Sequence, residues 1–121
     1  MRTRRLALLC STAVLALGGS LAVAPSASAA VAEPYCNYIS DTARPEVRPN
    51  AEGNAVRQVQ CLINVYSKYP TYLDVDGDYG PATAQGIYYV QTCNGTDGGA
   101  DGIVGPSTWN RLYNPKPACA L

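Results

Sequence analysis

No histidine and no phenylalanine occur anywhere in this 121-residue chain, and it holds a single methionine and a single tryptophan. The missing histidine removes Ser-His-Asp and Cys-His nucleophile chemistry and any histidine-ligated zinc. The missing phenylalanine leaves aromatic core volume to nine tyrosines, each with an apolar ring and a polar tip that needs a partner when buried. Charge of one sign is also scarce. Nine Lys and Arg stand against nine Asp and Glu, so no basic stripe is available for a nucleic-acid partner.

Long apolar runs are absent with one exception. Leu6 to about Ala24 is continuously apolar or small, after the basic start Met1-Arg2-Thr3-Arg4-Arg5 and before Ala27-Ser28-Ala29. Basic start, apolar middle and small-residue exit predict a secretory signal peptide over residues 1–29. A retained membrane anchor is the rival reading, and the small-residue exit argues against it. Cys10 lies inside the run and is discarded with it. Cleavage after Ala29 leaves 92 residues, six basic against nine acidic, a net charge of −3. The expected product is one small, soluble, mildly acidic domain outside the cell, with no membrane partner after cleavage.

Four cysteines remain: Cys36, Cys61, Cys93 and Cys119, at intervals of 25, 32 and 26. An even count in a short secreted chain predicts two disulfides, and the wide spacing is unlike the paired ligands of zinc sites. Cys36 and Cys119 lie near the two ends, and domain termini are often close together. That favours Cys36–Cys119 with Cys61–Cys93.

Residues 30–52 hold Pro34, Pro45 and Pro49 and show no periodicity, which predicts an extended lead-in. Val56, Val59, Ile63 and Tyr66, widened by Leu62, follow helical spacing and predict a helix over about 54–68. Cys61 lies off that stripe, as a bridging residue would. A second helix is expected from Pro81, with Ala84, Ile87, Val90 and Gln91 on one face and Asn94-Gly95 as its stop. Gly86 in its middle is weak unless helices pack closely there. A third, short helix is expected from Pro106, burying Trp109 and Leu112 and halted by Asn114-Pro115. Leu73 and Val75 suggest a very short strand-like anchor between the first two helices. Residues 114–121 form a tail held by Cys119. The fold class is all-α: a small three-helix bundle with an extended N-terminal lead-in and two disulfides.

One phrase occurs twice. Asp76-Gly77-Asp78-Tyr79-Gly80-Pro81-Ala82-Thr83 is echoed by Asp101-Gly102-Ile103-Val104-Gly105-Pro106-Ser107-Thr108. Asp74, Asp76 and Asp78 resemble the opening of a calcium loop. Yet Tyr79 and Gln85 fall where that template needs glycine and glutamate, and the second copy keeps only Asp101. Backbone geometry accounts for every repeated position. Asp-Gly makes a turn, Tyr79 and Val104 anchor in the core, and Gly80 and Gly105 precede helices begun by proline. Thr83 and Thr108 stand where a side-chain oxygen reaches free first-turn amides. Asp76 and Asp101 are therefore assigned to turns rather than to ligand binding.

Gly53-x-x-Val56-x-x-Val59-Gln60-x-x-Ile63, both repeated phrases, Ile87-x-x-Val90-Gln91 and the closing Thr108-Trp109-x-x-Leu112 together resemble the peptidoglycan-binding domain type 1 over about 53–113. Val59, Gly86 and Val90 stand where that family usually has leucine, alanine and phenylalanine. The segment 92–100 is also altered, and its sequon Asn94-Gly95-Thr96 reads as a loop. The resemblance implies a three-helix module that binds bacterial peptidoglycan, through glycan or stem peptide, with no catalysis, no cofactor and no metal. With no residues after Leu121, the module is expected to stand alone, as a secreted or wall-associated monomer. The alternative is a secreted protein–protein interaction or inhibitor domain on the same fold. An enzyme of the glycosidase type would need two carboxylates across a cleft, and the aspartates here sit in turn phrases.

Candidate ligand-binding residues are Tyr79, Tyr88, Tyr89, Gln91, Trp109 and Asn110. Tyrosine suits sugar rings and peptide stems, although Trp109 is expected to be buried. Tyr88 and Tyr89 are adjacent on a helix, so one should face solvent. Gln60 and Gln91 lie on or beside apolar stripes. They either tie loops together or line a shallow groove.

Overall fold

The computed structural model describes residues 35–121. The expected signal peptide and Cys10 lie outside the described residues. The three helices are α1 (Asn54–Tyr66), α2 (Pro81–Asn94) and α3 (Pro106–Tyr113), and a 3-10 turn at Pro117–Cys119 closes the chain. Each helix packs on the other two. No described residue lies in a named strand; three isolated antiparallel bridges join Val47 to Val104, Glu52 to Asp78 and Ser67 to Ala120. No helix among the described residues is long and apolar enough to cross a membrane.

The helical periodicity placed the core. Val56, Val59, Leu62 and Ile63 of α1, Ile87 and Val90 of α2, and Trp109 and Leu112 of α3 are all buried. Tyr66 departs from this, with 39% of its surface exposed at the last turn of α1. Gly86 lies at a close approach of α2 to Leu73 and Ile63. A Cβ there would sit 3.0 Å from Leu73 Cδ1 and 3.3 Å from Ile63 Cδ1. Leu73 is buried, but it is anchored without a strand: Asn64 accepts from its amide at 2.9 Å and donates to its carbonyl at 2.8 Å. That fixed pair does the work a strand partner would do.

All three helices start at glycine N-caps with no side-chain capping bond. Thr83 and Thr108 thus do not cap as expected; their hydroxyls serve another partner, described below. Gly95 ends α2 in the left-handed region at φ 65°, a conformation that glycine enters without steric cost. Asn94 is buried, its side chain donating to the Val90 carbonyl and accepting from the Lys116 amide.

The disulfides are Cys36–Cys61 and Cys93–Cys119, not the Cys36–Cys119 and Cys61–Cys93 pairing expected from the proximity of termini. The correction follows from where the ends are held. The lead-in runs against α1, where the Gln58 side chain accepts from the Tyr38 amide and donates to the Cys36 carbonyl. The tail runs past the ends of α1 and α2, with Lys68 N donating to Cys119 O and Leu121 N to Tyr66 O. Each terminus is stapled to a different helix.

The described part of the lead-in, residues 35–52, packs into the same compact unit as the helices. Val47 is 2% exposed and exchanges both backbone hydrogen bonds with Val104. Trp109 is fully buried and its indole donates to the Pro45 carbonyl at 2.8 Å. Arg44 lies 4.6 Å above the Tyr113 ring, which stacks on Trp109.

Candidate functional site

The two repeated phrases are built alike around one buried glutamine each. Gln60 of α1 donates from Nε2 to Asp76 Oδ1, Asp78 O and Thr83 Oγ1, and its Oε1 accepts from the Gly77 amide. Gln91 of α2 donates to Asp101 Oδ1, Ile103 O and Thr108 Oγ1, and accepts from the Gly102 amide. Both side chains are at most 1% exposed. Each aspartate also takes the amide two residues on, Asp78 N or Ile103 N. The glutamines tie loops together. The repeated Asp, Gly and Thr are the contacts that receive each amide.

Charge follows from that geometry. The Asp78 amide, and then the Gln60 side chain, hold the Asp76 carboxyl below its usual range. Tyr79 joins the two phrases: it is 3% exposed and its hydroxyl donates to the Gly102 carbonyl at 2.6 Å. Burial pushes its phenol up to about 12, with Tyr88 and Asp101 adding to the shift. Gly102 has φ +78°, and a Cβ there would come within 3.1 Å of both Tyr79 Oη and Tyr88 Cε1.

The candidate residues do not converge on one surface. Gln91 and Trp109 have no exposed surface and serve the interior. Tyr89 is half-buried, its ring 5.4 Å from that of Tyr69. Asn110 stands exposed on α3. Tyr79 and Tyr88 do meet, both lining a hollow of about 180 Å³ closed by Pro49, Asn50, Pro81 and Ala84. Tyr88 is the solvent-facing member of its adjacent pair, with 37% of its surface exposed. Sequence reasoning missed Asn50. Its one legible signal is its place after Pro49, and its φ of 72° is the only positive value on a non-glycine among the described residues.

Three further hollows open beside the phrases. One of about 290 Å³ lies over the first phrase, edged by Tyr72, Asp74, Asp76 and Asp78. One of about 240 Å³ lies over the second, edged by Asp97, Asp101 and Ser107. One of about 270 Å³ lies between the lead-in and the first phrase, lined by Asn50, Glu52, Asp78 and Tyr79. Among the described residues, no three Asp, Glu or Cys side chains are grouped so as to hold a metal ion.

Residues 52–112 match the family described as "Putative peptidoglycan binding domain". The chain belongs to this family. It is 36% identical over 110 residues to an uncharacterized protein in the bpoA1 3' region of Kitasatospora aureofaciens, with 89% of each chain covered. It is 31% identical over 121 residues to the zinc D-Ala-D-Ala carboxypeptidase of Streptomyces albus G. That alignment covers 93% of this chain but 46% of the carboxypeptidase, so this chain spans about half the enzyme's length. No solved structure matches. Peptidoglycan-binding membership and two disulfides are together consistent with an extracellular or cell-wall setting.

Proposed function

We propose that this protein binds bacterial cell-wall peptidoglycan without catalysis, as a secreted monomer. The observation that carries the reading is the family match over 52–112, which covers α1, α2 and all but the last residue of α3. The chemistry available supports a binder over an enzyme. The chain has no histidine, and its four described cysteines are tied in disulfides. Asp76 and Asp101 are committed to turn amides and glutamines.

The purified mature protein should sediment with isolated sacculi at micromolar concentration and remain in solution with cellulose. If it stays in the supernatant with sacculi, the wall-binding reading fails and a protein partner becomes the better one. Loss of turbidity in the same suspension would instead reveal hydrolysis.

A further inference from the structure

The hollows on either side of Asn50 share three residues, Asn50, Tyr79 and Gly80, and form one trough. Its walls are fixed by backbone pairing. Asn50 N donates to Tyr79 O, Tyr79 N donates to Ala51 O, and Glu52 bridges Asp78. One end is apolar, made by Tyr88 and Pro81. The other presents the carboxylates of Glu52 and Asp78. Among the described residues, the side chains of Asn50, Glu52, Asp78 and Tyr88 make no hydrogen bond with one another or with any other residue, although the neighbouring Gln60 amide and Asp76 Oδ1 are hydrogen-bonded. Asn50 holds a left-handed backbone at φ 72° in the middle of the trough, and strain of that kind persists where the surrounding structure enforces it.

We infer that this trough is the glycan-binding site and takes two consecutive amino-sugar residues, a step that rests on the peptidoglycan-binding reading above. A sugar ring offers an apolar C–H face and a rim of hydroxyl and amide donors. The C–H face stacks on Tyr88 beside Pro81. The neighbouring ring donates hydroxyls to the Glu52 and Asp78 carboxylates, charge-assisted bonds of the stronger kind. The Asn50 amide, between the two hollows, both donates and accepts and so reads an N-acetyl group. The two overlapping hollows, about 180 and 270 Å³ and open to solvent, leave room for a disaccharide lying along the surface.

The test uses three probes on the disulfide-intact protein: peptide-free glycan strands released from sacculi by amidase, a β-1,4-linked N-acetylglucosamine tetramer, and the free stem peptide. Amide resonances of residues 50–52 and 78–84 should shift with both sugar probes and not with the peptide. Asn50→Gly, which tolerates the positive φ, and Tyr88→Ala should each weaken glycan binding about tenfold with melting temperatures near the parent's. Full sacculus binding by both folded variants would overturn the site while leaving wall binding intact. Binding of the stem peptide alone would overturn the glycan assignment. Wild-type protein that fails to sediment with sacculi would sink the underlying function instead. The shift map on wild-type protein decides the site even if a variant misfolds.

Discussion

Replacing Gln91 by leucine should destabilise the domain severely, although leucine has similar volume and the site is buried. Gln91 makes three donor contacts, at 3.1, 3.0 and 3.2 Å, and one acceptor contact at 3.0 Å. Its amide has two N–H groups, so the donor contacts share two protons. Leucine would leave the buried Gly102 amide and the Ile103 carbonyl without partners. A buried polar group stripped of its partner costs about 1–3 kcal/mol. Two such groups, less about 1 kcal/mol regained from the added apolar surface, give a net loss of about 3 kcal/mol. For a domain of this size that lowers Tm by about 12–24 °C. Calorimetry of Gln91→Leu against Asn110→Ala, an exposed change expected to fall within about 0.5 kcal/mol, measures the difference. Hydrogen exchange at the Gly102 amide localises it, because that proton should lose its protection before the helices do. Gln60→Leu should behave likewise, with the Gly77 amide as reporter. A loss below about 1 kcal/mol, or unchanged exchange at Gly102, would refute the claim that the glutamines hold the phrases.

Peptide mapping without reduction should recover Cys36–Cys61 and Cys93–Cys119, and a Cys93→Ser/Cys119→Ser pair should lose about 2–4 kcal/mol in denaturant unfolding. Gly86→Ala should destabilise by about 1–2 kcal/mol by thermal melting, because overpacking against Leu73 and Ile63 exceeds the helix-propensity gain. Tyr79, pushed up to about 12 from 10.0, contributes stability that is full below its unfolded value and lost as pH rises through that window. Ultraviolet titration should show one tyrosine ionising near pH 12, absent in Tyr79→Phe, and that variant should show a flatter alkaline loss of stability. The Asp76 carboxyl, held below its usual range, works in the opposite direction. Its contribution is present above the unfolded value and fades as pH falls through the folded one, so Asp76→Asn should flatten the acid limb of the pH–stability curve.

The helices were legible because periodicity at each was joined at α2 and α3 by boundary signals. Periodicity gave the buried face, proline marked the start of α2 and α3, and Asn94-Gly95 marked the end of α2. The disulfide pairing was not legible. It depends on where two aperiodic segments run, and that is set by Gln58, which no period distinguishes from an exposed glutamine. Gln58 Nε2 also donates to Tyr113 Oη across 55 positions of sequence, so its role exists only once α1 and α3 are packed. The candidate ligand residues show the same limit. Aromatic type alone does not separate Trp109, which latches the lead-in, from Tyr88, which faces solvent. Tertiary burial decides between them.

The echoed phrase then takes on a more definite meaning than a turn preceding a helix. Its aspartate, glycine and threonine each contact a glutamine from the preceding helix, and its large residue fills the core. Loop and helix therefore specify one another, and changing either leaves buried polar atoms exposed to no partner. This mutual fixing also explains why the open trough lies beside the first phrase. Tyr79 is held from both sides, by the lead-in backbone and by the Gly102 carbonyl. Residues flanking so rigid a post pay little further entropy when a ligand settles against them. Asn50, Glu52, Asp78 and Tyr88 are left with their side chains uncommitted where the described lead-in, the first phrase and α2 meet. A binding surface made that way needs the lead-in as much as the helices, so loss of the Cys36–Cys61 staple should weaken wall binding even where the helices survive.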